Sequence, residues 1–185
     1  NCLEVSEDVF NELTDVIRPQ GILAVLNKKN TQSTIDTNAD YILALDGIQD
    51  PGNLGTIIRT ADAANLKQIL VSNDTVDAYS PKVIRSTMGA IYRVNILETD
   101  NLPTTINTLK SEGYEVVTTE LEGADNFYNI NYSKKIVVIG NEANGVSKPV
   151  RETSDYKAKI PILGKTESLN ASVAAGLMIY EYVRQ

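Results

Sequence analysis

The chain has 185 residues, 42% hydrophobic and 22% charged, with no histidine, one cysteine and a net charge of −7. That is one domain of ordinary size, with enough apolar mass for a core. It excludes an intramolecular disulfide, a Ser-His or Cys-His nucleophile pair and an ordinary zinc site, so acid–base chemistry falls to Asp, Glu, Lys, Tyr or Arg. No uninterrupted apolar run of about eighteen residues and no signal-peptide pattern occurs, so we expect a cytoplasmic protein with no membrane partner.

The charge is unevenly spread. Residues 1–50 hold nine acidic and three basic side chains, leaving fifteen and fourteen for the rest. A nearly neutral body can still carry a basic patch, and Arg59, Lys82, Arg85, Arg93, Lys134, Lys135, Lys148 and Arg151 are available for one. The overall charge therefore decides nothing about a nucleic-acid partner.

Ser6-Glu-Asp heads a helical pattern in Val9, Phe10, Leu13, Val16 and Ile17, stopped by Pro19-Gln-Gly21. Ile22–Leu26 reads as a short strand, and Asn27–Asn38 as a polar linker. From Tyr41 strands alternate with helices. Tyr41–Ile48 is a buried-type strand; Asp50-Pro-Gly-Asn53 is a turn, and Asn53 can cap a helix running to about Asn65. Gln68–Asn73 is a strand, and Ser80-Pro81 opens a helix to about Thr87. Ile91–Leu97 is a strand; Leu102–Glu112 is a helix ended by Gly113. Tyr114–Leu121 and Lys135–Gly140 are strands, Pro149–Thr153 one helical turn, and Tyr156–Leu163 the last strand. Ser168 then caps a final helix, with Leu169, Val173, Leu177 and Tyr180 on one face and Ala171, Ala174, Ala175 and Gly176 small enough for close packing. This alternation means an α/β fold, a mostly parallel sheet flanked by helices. In such a sheet ligands bind beyond the carboxyl ends of the strands.

Three loops there are unusually polar: Asp46–Asn53, Gly140–Ser147 and Leu163–Asn170. Each has a plain reading when taken singly. Asn53 is a cap and Arg59 a solvated side chain; Glu142 belongs to a turn with Gly145 at positive φ; Lys165 and Glu167 are a solvated charge pair. The first loop lacks GxGxxG, so a dinucleotide fingerprint is absent.

In order, however, Asn53-x-Gly55-x-x-x-Arg59-x-Ala61, Gly140-x-Glu142-x-x-Gly145 and Ile160-Pro-x-x-Gly164 followed by Ser168-Leu-Asn170-x-Ser172-Val-Ala resemble the motifs of the SpoU/TrmH-type RNA ribose 2′-O-methyltransferases of the SPOUT superfamily. The resemblance runs from about Tyr41 to the C-terminus, departing mildly at Ala171, where many relatives have Val. It implies a sheet whose C-terminal segment is threaded into a trefoil knot, which ordinary connection rules would not suggest. It also implies a homodimer, S-adenosylmethionine as cofactor, a structured rRNA or tRNA as partner, and methyl transfer to a ribose 2′-hydroxyl. The positions that match the family's cofactor site are Thr119, Gly140, Ile160 and Leu169. Those that match its catalytic and substrate site are Arg59, Asn53, Glu142, Ser168 and Asn170. Phe10–Val25 looks like the junction before the catalytic domain, so residues 1–38 read as a segment and linker left from an upstream RNA-binding domain, and 39–185 as the catalytic domain. A non-catalytic RNA-binding or assembly factor with the same fold is the alternative; retention of all five polar site residues favours the enzyme.

Overall fold

Tyr41–Asp46 (β1) is buried along its whole length. A strand must be so when helices cover both faces of a parallel sheet. In the computed structural model, which describes residues 2–14, 16–28, 34–122 and 125–185, β1 lies near the middle of a seven-stranded sheet. The other strands are β2 (Gln68–Ser72), β3 (Asn95–Thr99), β4 (Glu115–Thr119), β5 (Asp125–Asn126), β6 (Lys135–Gly140) and β7 (Tyr156–Lys159). Their order is β3-β2-β1-β6-β4-β7-β5, and every pair is parallel. The register sets Asp46 beside Gly140, so the loops that leave β1 and β6 start level with each other.

The period-two alternation of the strands sorts the core into two layers. Leu43, Leu45, Ile69, Val137 and Ile139 face α2 (Pro51–Ala63), α3 (Pro81–Thr87) and α6 (Ala171–Arg184). Ile42, Ala44, Leu70, Ile136 and Val138 face α4 (Leu102–Ser111) and α5 (Lys148–Arg151). Beyond β7 the chain returns across β4 and β6 to lay α6 against α2. Among the described residues no helix is long and apolar enough to cross a membrane.

Several expectations shift. The first helix, α1, spans Glu7–Leu13, with the Ser6 hydroxyl accepting from the Val9 amide, and buries no residue. Ile22–Leu26 is not a strand: it is irregular and exposed, and among the described residues no strand pairs with it. Residues 29–33 of the expected linker lie outside the described residues. The end of that linker is pinned: Asp36 and Gln68 exchange two hydrogen bonds, at 2.9 and 2.8 Å. A 3₁₀ turn at Ala90–Tyr92 takes the start of the expected third strand, which begins only at Asn95. The last strand stops at Lys159, and the residues after it form the wall of a cleft.

The caps shift as well. Asp50, not Asn53, caps α2, its Oδ1 accepting from the Asn53 amide at 2.8 Å. The Ser80 hydroxyl makes no capping bond to α3 and is buried with no hydrogen-bond partner among the described residues. Asn170, not Ser168, caps α6. The expected apolar face of α6 points outward: Val173, Leu177 and Tyr180 are exposed, whereas Ala171, Ala175, Met178 and Ile179 are buried. Gly176 is not forced by tight packing, since a Cβ there would meet the Thr60 methyl at an ordinary 3.8 Å.

Gly55 is the tight point between α2 and α3. A Cβ there would lie 1.6 Å from Ser86 Oγ and 2.6 Å from Ser86 Cβ. Helix propensity alone favours Gly55→Ala by about 1 kcal/mol, but overpacking of this kind costs about 1–3 kcal/mol. We expect Gly55→Ala to melt several degrees below the parent chain, and Ser86→Gly in the same molecule to restore part of the loss. A thermal melt of Gly55→Ala at or above the parent would show that the two helices can part freely.

Candidate active site

Three loops meet at the carboxyl edge of the sheet, and buried polar groups tie them together. Asp46 ends β1 with a buried carboxylate whose Oδ2 accepts from the Ser147 amide at 2.7 Å, fixing the entry to α5. Asn141, the first residue after β6, donates to the Gly47 carbonyl at 2.7 Å. Asn141 and Gly145 exchange backbone bonds at 2.9 Å, and Gly145 has φ +67°, as the turn requires. Gly140 is confined from above. A Cβ on it would lie 2.1 Å from Gly145 C and Val146 N, which are backbone and cannot step aside.

Within this frame Glu142 accepts from three donors. Its Oε1 takes the Asn53 amide group at 2.9 Å and the Asp50 backbone N–H at 3.2 Å, and its Oε2 takes the Gln49 backbone N–H at 3.2 Å. The Asn53 carbonyl oxygen accepts in turn from Asn170 Nδ2 at 2.9 Å. Asn170 Oδ1 then accepts from the Ser172 amide at 2.9 Å and the Ser172 hydroxyl at 2.6 Å at the start of α6. Chemistry fixes the direction of this chain. A carboxylate only accepts, so Asn53 must turn its NH₂ to Glu142 and its oxygen to Asn170. Partial burial raises the Glu142 carboxyl pKa, but the bonds from Asn53 and from the backbone of residues 142, 49 and 50 outweigh it and leave the group below the usual glutamate value.

Beside this relay opens a cleft of about 720 Å³. Thr119, Gly140, Ile160 and Leu169 line it, and so do Glu142, Ser168 and Asn170. Its walls are apolar at Ile139, Val146 and Ile162, and Glu120 and Glu167 bring carboxylates to it. The Thr119 hydroxyl donates to the Val138 carbonyl at 3.1 Å. The Ser168 hydroxyl is exposed and has no hydrogen-bond partner among the described residues. Asn53 does not line the cleft but reaches it through Glu142 and Asn170. Arg59 does not line it either: it is exposed on α2 and without an acidic partner among the described residues.

Two positions escaped the sequence reading. Asp46 is a charge at the end of an otherwise apolar strand, which is a readable signal. Glu120, whose Oε1 lies 3.4 Å from Arg151 Nε, gives none.

Comparison with known proteins shows which families and structures the chain is similar to. The model of the SpoU rRNA Methylase family matches residues 40–180. The 23S rRNA (guanosine(2553)-2′-O)-methyltransferase RlmP of Bacillus subtilis is 37% identical over 180 residues, covering 97% of this chain and 71% of that protein. A Staphylococcus saprophyticus protein named for the TrmH family of tRNA/rRNA methyltransferases is 40% identical over 145 residues, 78% of this chain and 58% of its own length. Among solved structures, an AdoMet-bound rRNA methyltransferase from Sinorhizobium meliloti superposes with a TM-score of 0.81 at 32% identity, covering 97% of this chain and 70% of that one. The SpoU methyltransferase AviRb from Streptomyces viridochromogenes, in complex with AdoMet, gives 0.73 at 30% identity over 78% of this chain and 60% of its own.

The relay sets a pH expectation. Glutamate ionises at about 4.3 when unperturbed, and here its folded value is depressed. The stability contributed by ionised Glu142 is complete above the unperturbed value and is lost as pH falls through the folded one. Asn53→Leu removes the strongest bond that lowers it. By carboxyl NMR, Glu142 is expected to titrate below the usual glutamate range in the parent chain and to move upward in Asn53→Leu. An unmoved midpoint would mean that the two side chains do not meet in solution.

Proposed function

The chain belongs to the SpoU rRNA methylase family, and on that premise we propose that it transfers a methyl group from S-adenosylmethionine to a ribose 2′-hydroxyl of ribosomal or transfer RNA, with the loop cleft as its active site. The observation that carries the reading is the joining of three sequence-distant loops by one Glu142–Asn53–Asn170 relay at the rim of a cleft. The Bacillus relative is named for a 23S rRNA guanosine, so ribosomal RNA is the first substrate to screen.

The cleft fits the cofactor on its own features. Its volume is in the range of small-molecule sites. Gly140 leaves no side chain between the end of β6 and the loop above it, and the apolar walls suit an adenine ring. Glu167, which lines the cleft and has no ion-pair partner among the described residues, complements a molecule that carries a sulfonium and an ammonium, whereas Glu120 is paired with Arg151 in the same wall. Thr119, Gly140, Ile160 and Leu169 would hold it. When bound, S-adenosylmethionine supplies an electrophilic methyl group.

The remaining work belongs to the chain's own residues. Glu142 acts as a positioning residue: both of its oxygens are occupied and its basicity is lowered, so it organises Asn53 and the 49–50 amides instead of taking a proton. Asn170 is held by α6 and by Asn53, and it orients the rim. Ser168, with its hydroxyl uncommitted, meets the ribose. A guanidinium does not surrender its proton near neutral pH, so Arg59, which stands outside the cleft on α2, acts from the side of the bound RNA: it binds the phosphate adjoining the ribose and offers its charge to the developing alkoxide. The outward stripe Val173, Leu177 and Tyr180 on α6 supports a homodimer, and the return of the chain across β4 and β6 supports the threaded C-terminal segment.

Calorimetric titration is expected to show S-adenosylmethionine binding that Leu169→Arg abolishes. Arg59→Lys is expected to keep that binding while transfer to RNA falls by about 10²–10³-fold, the scale for removing one oxyanion donor. Unchanged turnover in Arg59→Lys would remove Arg59 from the mechanism, and a folded parent chain that binds no cofactor would sink the enzyme reading. Sedimentation should find a dimer that Leu177→Glu dissociates.

A further inference from the structure

In a chain of net charge −7, residues 78–97 contain Lys82, Arg85 and Arg93 and no Asp or Glu. This stretch forms α3 and the 3₁₀ turn behind it, packed along α2. Of the basic side chains available for a patch, most are engaged. Lys135 pairs with Glu115 at 2.6 Å, Arg151 with Glu120 at 3.4 Å, Lys134 lies over the Tyr114 ring, and Lys148 stands 4.0 Å from Glu152. Arg59, Lys82 and Arg85 have no acidic partner among the described residues.

At the tip of this stretch stands Met88, 72% exposed and with φ +50°, followed by Gly89 at φ +84°. Met88 is the left-handed residue that ends α3, a place usually taken by glycine, so an exposed bulky side chain there invites a functional reason. Two contacts fix where the tip sits. Ser86 packs against Gly55, and Arg93 donates to Asp62 through Nε and Nη2, at 2.9 and 2.7 Å to Oδ2. Gly55, Arg59 and Asp62 are four and three residues apart on α2, hence on one face. Residues 87–92 are therefore held alongside the turn that carries Arg59. Lys82, Arg85 and Met88, at spacings of three, are all exposed.

We propose that this corner is the RNA-docking surface and that Met88 is its base-contacting tip, packing against the face of an unstacked base beside the methylated nucleotide. Lys82 and Arg85 bind the neighbouring phosphates. The proposal rests on the methyltransferase reading above and adds to it where the RNA lies. A thioether is soft and polarisable and makes favourable contacts with aromatic faces. RNA is read mostly at splayed, unstacked bases, and phosphates take the free cations. The strain at Met88 also separates function from folding, because glycine suits this backbone better than methionine does.

The test uses the full chain with unmodified transcripts of 23S ribosomal RNA and transfer RNA. Met88→Gly is expected to melt at or above the parent and to bind S-adenosylmethionine equally. Its RNA affinity should fall roughly tenfold, the scale of one stacked base, with the loss appearing in KM for RNA; Met88→Leu should stay close to the parent. Lys82→Gln and Arg85→Gln should each reduce the salt dependence of RNA binding by about one unit of log–log slope. RNA affinity in Met88→Gly equal to the parent's overturns the proposal, as does a loss that tracks a lowered melting temperature. A parent chain that binds cofactor yet neither binds nor methylates either transcript overturns the methyltransferase reading itself, and this proposal with it.

Discussion

The side-chain amide of Asn53 is the joint on which the site depends. It donates to a carboxylate 89 residues further along the chain and accepts from an amide 117 residues away. No single loop supplies the arrangement. The β1–β6 register places Gly47–Asp50 level with Asn141–Gly145, and α6 packed on α2 brings Asn170 back to the helix that carries Asn53. An ionised partner at one end and helix-start amides at the other leave the relay one orientation, so the rim is organised before any ligand arrives.

The sheet was largely legible because fully buried parallel strands are written as continuous apolar runs: YILALD and KIVVIG can hardly be anything else. Where apolar residues served as the only guide, the reading failed. Ile22–Leu26 has the composition of a strand but no strand to pair with among the described residues. On α6 the face turned to α2 and the sheet carries Ala171, Ala175, Met178 and Ile179, and the equally periodic Val173, Leu177 and Tyr180 lie outside, so the spacing alone did not say which face is buried.

The caps show a different limit. Asp, Asn and Ser cap alike, so a sequence with Asp50 near Asn53 and Ser168 near Asn170 names the helix ends without naming the capping side chain. The answer depends on what else each group bonds: Asn53 is committed to Glu142 and Asn170, and Asp50 is left to hold α2. Motif spacing could gather Glu142, Ser168 and Asn170 as neighbours in a list. It could not show that Glu142 spends both oxygens on donors. Nor could it show that Arg59 stands outside the cleft.

The insertion of β6 between β1 and β4 also governs how the protein comes into being. During synthesis at about 5–20 residues per second, the 117 residues between Asn53 and Asn170 take roughly 6–23 s to appear. Through the greater part of that interval β1 has β2 on one side and a bare edge on the other, an apolar strand with unpaired backbone groups. Only once α6 (Ala171–Arg184) has been made can it cover α2 and close the rim. A chain that stopped before α6 would thus keep most of the sheet while lacking the cleft, which makes the finished site a mark that α6 has docked.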